Sequence, residues 1–157
     1  MNVEVGDRSM HLLVADDLAD DAVVLEYRSD AKDAKPLFAL VAPEDPRLAR
    51  SVITFEDLPV TRFRELVADA VRQPAVASLD SRVGGESRPP ASPHSSAGPR
   101  APGLEWRDAQ DERVVTLWRT TNSPHPELWI RVWQEVEPGT AEAMVRTAEL
   151  EFRNQRG

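Results

Sequence analysis

The stretch Ser51-Val52-Ile53-Thr54-Phe55 reads as a strand, and the residues after it change period: Phe63, Leu66, Val67, Ala70 and Val71 recur at the spacing of one helical face. A period of two sends successive side chains to opposite faces of a sheet, whereas a period near 3.6 stacks them along one stripe, so a strand gives way here to a helix. The helix is predicted from about Pro59 to Gln73. Proline suits a first helical turn, where its missing N–H has no partner to lose, and Pro74 supplies a stop.

Upstream, Met10-His11-Leu12-Leu13-Val14, Ala22-Val23-Val24-Leu25-Glu26-Tyr27 and Leu37-Phe38-Ala39-Leu40-Val41 are further apolar runs, the last ended by Pro43 and Pro46. Val23, Leu25 and Tyr27 fall on one side of the pleat, and the Asp-rich segment before them is a turn. Downstream, Leu104-Glu105-Trp106-Arg107, Arg113 to Trp118 and Leu128 to Glu135 read as strands. A helix after Pro138-Gly139 follows, with Thr140 as its expected N-cap and Ala141, Met144, Val145, Ala148 and Phe152 along one face. The expected class is therefore α+β, with antiparallel sheet and helices packed on one face, built as two related ββββα-like halves.

The halves can be laid over one another. Leu25-Glu26-Tyr27-Arg28 matches Leu104-Glu105-Trp106-Arg107 at an offset of 79, and at 78 Leu66, Val67 and Ala70 fall on Met144, Val145 and Ala148. Val52 and Phe55 then fall on Ile130 and Trp133, a correspondence that either records an internal duplication or is what any two strand-then-helix units of this alphabet would show. Between residues 1–73 and 104–157 lies a segment, 74–103, in which Gly84-Gly85, Pro89-Pro90, Pro93, Pro99 and Pro102 alternate with Ser, Ala and Arg. Such a composition buries too little apolar surface to offset its ordering entropy, so a disordered linker is expected, with the halves forming two units or one joint domain.

With 41% hydrophobic and 29% charged residues over 157 positions, the chain has the make-up of a folded protein rather than a disordered one. It contains no cysteine, which excludes disulfides, thiolate metal sites and cysteine nucleophiles. His11, His94 and His125 form no closely spaced metal-ligand pair, and none sits in a nucleophile-elbow context. Gly84-Gly85 is not followed by Lys-Ser/Thr, so no phosphate loop is present. The expectation is a protein that is not an enzyme and uses no cofactor. The start lacks the basic and apolar regions of a signal peptide and no apolar run approaches a membrane span, which makes the cytoplasm the expected location.

Two features carry a functional expectation. In the predicted hairpin, alternation places Leu128, Ile130 and Val132 against Val115 and Leu117, leaving Trp129, Arg131 and Trp133 on the other face, with Trp118 beside them if the register holds. Aromatic and arginine side chains dominate binding hot spots, and they also stack on unpaired bases, while the bland alternative is that these indoles are core. Asp16, Asp17, Asp20 and Asp21 crowd one turn but lack the Asp-x-Asp-x-Asp-Gly loop of a calcium site, so a solvated turn or an acidic contact surface is expected rather than a metal.

The reading these features favour is a non-enzymatic protein-binding module, of immunity-inhibitor, antitoxin-like or adaptor type, with another protein as partner. Self-association into a homodimer is the structural alternative. The element order, strands then helix repeated, resembles the single-strand-binding arrangement of the PUR and Whirly families. That resemblance implies Arg113, Arg119 and Arg131 forming a positive groove beside the tryptophans. The net charge of −8 opposes attraction to nucleic acid or anionic membrane, so nucleic acid is the lesser expectation and no membrane is expected.

Overall fold

The structure of this chain, a computed structural model, describes residues 1–32, 35–79, 92–95, 102–120 and 126–154. Strands β1 (Asn2–Val5), β2 (Arg8–Asp17), β3 (Ala22–Arg28), β4 (Phe38–Pro43) and β5 (Ser51–Thr54) form an antiparallel meander in chain order. A second antiparallel sheet has the order β6-β10-β9-β8-β7, from β6 (Leu58–Pro59), β7 (His94–Ser95), β8 (Gly103–Arg107), β9 (Arg113–Arg119) and β10 (Leu128–Val132). The helices are α1 (Val60–Arg72), α2 (Pro74–Ala77) and α3 (Pro138–Asn154). The class is α+β, with antiparallel sheets, as the period change after Phe55 requires.

On β3 and along the two long helices the stripe defined by the period is the one that is buried. On β3, Val23, Leu25 and Tyr27 are buried, and Leu25 and Tyr27 face Leu40 and Phe38 across the β3–β4 ladder. Phe63, Leu66 and Ala70 of α1 and Met144, Val145, Ala148 and Phe152 of α3 are buried with them. One contiguous apolar cluster joins Leu25, Phe38 and Phe63 of the first half to Leu117, Ile130 and Val145 of the second. Tyr27 brings a hydroxyl into this core and donates it to Asp69 Oδ2 at 2.5 Å. Burial first, and the Asp69 carboxylate second, push the phenol well above its ordinary range, so Tyr27 remains a neutral donor.

The two sheets meet along β10. Ile130 pairs with Leu58 and Trp129 with Pro59, while further along the same edge Val52 and Val136 exchange backbone hydrogen bonds of 2.8 and 3.1 Å. Residues 51–59 thus run as one interrupted strand beside 129–136. In the interruption the buried Thr54 Oγ1 accepts from Val132 N at 2.8 Å and donates to Val132 O at 3.3 Å, standing in for the missing ladder bonds. An offset of 78 carries Val52 onto Ile130 and Leu58 onto Val136, so the Val52–Val136 pair and the Leu58–Ile130 pair exchange with each other. The same offset carries the first residue of α1, Val60, onto the first residue of α3, Pro138.

Several local expectations are revised. The first sheet has five strands, because Asn2–Val5 pairs with Arg8–Met10 and beyond, and Arg62 of α1 donates to the Val5 carbonyl at 3.2 Å. Thr140 is not an N-cap: α3 begins two residues earlier at Pro138, whose fixed φ and absent N–H suit a first helical position. Pro74 does end α1, but it also opens the short α2, which buries Val76 and is held by Arg50 donating to the carbonyls of Val76 and Leu79. Within the expected linker, residues 74–79, 92–95 and 102–103 are described, with β7 paired to β8 and Gly103 opening β8; 80–91 and 96–101 lie outside the described residues.

Gly6 turns β1 into β2 with φ +61°, and a Cβ there would run into the Glu65 carboxylate of α1. Gly6→Ala is therefore expected to destabilise by about 1–2 kcal/mol from the left-handed backbone alone. Thermal unfolding measures this, and an unchanged midpoint would mean the turn relaxes to negative φ.

Candidate functional site

The helix-free face of the second sheet is built by alternation on β9 and β10. Both α1 and α3 pack on the face carrying Val115, Leu117, Ile130 and Val132, so Thr116, Trp118, Trp129 and Arg131 emerge on the opposite one. The ladder pairs Trp129 with Trp118 and Arg131 with Thr116, which puts the two indoles side by side. Their ring planes lie 23° apart with centroids separated by 6.5 Å. Across β10 from Trp129 stands Pro59, an apolar neighbour contributed by the other half of the chain.

Trp133 completes the face. Its ring lies beneath two guanidinium groups, with Arg113 3.9 Å and Arg131 4.6 Å from the ring centre. Its Nε1 donates to Thr116 Oγ1 at 3.0 Å; Thr116 in turn donates to Glu105 Oε1 at 3.2 Å, and Glu105 is paired with Arg107 at 2.8 Å. Arg131 is paired with Asp57 at 3.7 Å. The three tryptophans are all half-buried, and this lattice of cation–π contacts and hydrogen bonds holds Trp133 in one orientation. Nε1 of Trp129 is out of solvent contact and finds no acceptor among the described residues. Beside Trp133, Asp108 caps the β8–β9 turn: the Gln134 amide first, and then the backbone N–H of Glu112, hold its carboxyl below the usual range.

Trp118, Trp129, Arg131 and Trp133 are thus brought together. The acidic residues are not part of the same patch. Asp16 and Asp17 end β2, and Asp20 and Asp21 lie in the β2–β3 turn, with β4 and β5 between this hairpin and β10 in the strand order. Asp17 Oδ1 accepts the backbone N–H of Ala19 and Asp20 at 3.1 and 3.3 Å, and so shapes the turn, while Asp16, Asp20 and Asp21 are exposed. Among the described residues no group of carboxylates and histidines is arranged to hold a metal ion. No helix among them is long and apolar enough to cross a membrane.

The arginine groove implied by the resemblance to single-strand-binding families is not assembled. Arg119 lies on the helix side of β9, its guanidinium 5.7 Å from the Phe152 ring of α3, and Arg131 is engaged with Asp57. His125 and the tip of the β9–β10 hairpin lie outside the described residues. Sequence reasoning missed Asp57 and Pro59 as members of the face, and nothing in their local pattern marks them, since they reach it only through pairing between halves. Comparison with known protein families, curated proteins and solved structures gave no match for this chain.

Proposed function

We propose that the chain is a non-enzymatic protein-binding module whose contact surface is the Trp118–Trp129–Trp133 face, working in the cytoplasm on another protein. The observation that carries this is the pairing of Trp118 with Trp129 on the face the helices leave open, flanked by a Trp133 ring between two arginines. Half-buried indoles fixed by their neighbours lose little conformational freedom on association, which is what makes such residues efficient anchors. The exposed Asp16, Asp20 and Asp21, on a separate hairpin, would steer a basic partner rather than join the contact.

Acrylamide quenching and partner capture test this together. Trp118→Ala/Trp129→Ala is expected to keep the circular-dichroism spectrum, lose much of the quenchable emission and weaken a captured protein partner by roughly a hundredfold, as loss of hot-spot residues does. Emission that is blue-shifted and protected from acrylamide would count against the reading, as would retention of single-stranded oligonucleotide in place of protein. Sedimentation separates the homodimer alternative, in which the double variant would convert dimer to monomer.

We also propose that the halves arose by duplication of one strand-then-helix unit. Supporting this, the offset of 78 exchanges the two pairings that join the sheets and aligns the starts of α1 and α3.

A further inference from the structure

On the helix side of the second sheet, away from the tryptophans, a half-open cavity of about 300 Å³ lies between the first turn of α1, the last turns of α3 and the strand ends of β9 and β10. Val60, Leu128 and Phe152 give it apolar walls, and Arg64, Arg119 and Arg153 bring three guanidinium groups to it. Arg64 is already committed: it takes Glu142 through two hydrogen bonds of 3.1 and 2.8 Å and Glu149 through one of 2.9 Å, which also neutralises the Glu149 carboxylate in the cavity wall. The other two are not. Among the described residues Arg119 donates its side chain only to the Phe152 carbonyl, at 3.5 Å, beside the ring of the same residue, and its Nε is out of solvent contact with no acceptor. Arg153 makes no ion pair among the described residues, and neither arginine is bridged to the remaining lining carboxylate, Glu127. The first turn of α1, which supplies Val60 and Thr61 to the wall, has no side-chain cap and no acidic residue, so its backbone donors add to the positive potential.

We propose that this cavity binds a monoanionic carboxylate carried on a short apolar stem. A guanidinium left without a carboxylate in a partly desolvated site is costly, and a ligand carboxylate supplies the bidentate acceptor that Arg119 lacks. The Val60, Leu128 and Phe152 walls take the stem, which a bare inorganic anion does not possess. The same chemistry is presented by a free small carboxylic acid and by the C-terminus of a polypeptide ending in an apolar residue. Because the site lies on the opposite face of the sheet, it stands or falls separately from the tryptophan surface.

The test is an NMR titration of the full chain with N-acetyl-leucine, its amide, inorganic phosphate, and a short peptide ending in leucine with free or amidated C-terminus. N-acetyl-leucine is expected to shift the amides of Val60, Leu128 and Phe152, with the amide form roughly tenfold or more weaker. Arg119→Gln is expected to weaken the acid by a similar factor while leaving the amide's residual binding unchanged; the exposed Arg153→Gln, which carries little folding risk, is expected to do so to a smaller extent. Tighter binding of the free-acid peptide than of N-acetyl-leucine assigns a polypeptide C-terminus as the source, and binding of N-acetyl-leucine alone assigns a small acid. The proposal is overturned by equal binding of acid and amide, by phosphate binding as tightly as the acid, by shifts located elsewhere, or by no shift at millimolar ligand.

Discussion

Phe38→Ala is expected to lower the denaturant midpoint read by tryptophan fluorescence, although Trp106, Trp118, Trp129 and Trp133 all lie in the other half of the chain. Phe38 is fully buried on β4 and meets Tyr27 and Phe63 edge-on, with centroids 5.8 and 5.9 Å away. Truncating a buried phenylalanine to alanine costs about 3–5 kcal/mol, through lost transfer energy and the cavity left behind. That is a large share of the roughly 5–15 kcal/mol that holds a domain of this size. Because one apolar cluster runs from Phe38 through Phe63 to Val145 and Ile130, the loss is shared by both halves. Far-UV circular dichroism and tryptophan emission should therefore move to lower denaturant together. A fluorescence midpoint that stays in place while part of the dichroism signal melts early would show that the halves unfold as separate units.

Thr54→Val should have nearly as large an effect, by a different mechanism. Its hydroxyl bridges to the backbone in the gap between the Val52–Val136 and Leu58–Ile130 pairings, accepting from Val132 N and donating to Val132 O while only 2% exposed. Valine has the same shape without the hydroxyl, so both backbone groups of Val132 are left buried without partners, at about 1–3 kcal/mol each. A total cost of about 2–4 kcal/mol is expected by chemical denaturation, with faster hydrogen exchange at the Val132 amide. Thr54→Ser keeps the hydroxyl and should cost only about 0.8 kcal/mol for the lost methyl. Equal effects of the two substitutions would show that the seam does not depend on this hydrogen bond. The seam also sets the tryptophan face, since Asp57 and Pro59 reach Arg131 and Trp129 through it, so Thr54→Val is expected to weaken partner capture even where the protein remains folded.

The class and most elements were legible because each rests on a local rule. Alternation at Val23, Leu25 and Tyr27 and the helical stripe through Phe63, Leu66 and Ala70 state which side of each element is apolar, and burial follows them. The grouping of Trp118, Trp129 and Arg131 on one face was legible for the same reason, since a register that buries Leu117 and Ile130 leaves only one face for their neighbours. Elements that lack a strong local pattern were not. Asn2–Val5 alternates but for only four residues, and α2 is only four residues long and begins at the proline that closes α1.

Periodicity therefore determined, from sequence alone, that this is an α+β chain of strand-then-helix units with an aromatic face on the hairpin that runs from Arg113 to Trp133. The tertiary structure decided that residues 51–59 run beside 129–136, that Thr54 bridges the gap between the sheets, that Arg119 turns to the helices while Arg131 turns to Asp57, and that the acidic turn stands apart from the tryptophans. The physical reason is that side-chain period encodes which face is buried but not which edge pairs with which. Strand edges present the same backbone donors and acceptors whatever their sequence, so the partner of an edge is chosen by the packing of the whole core.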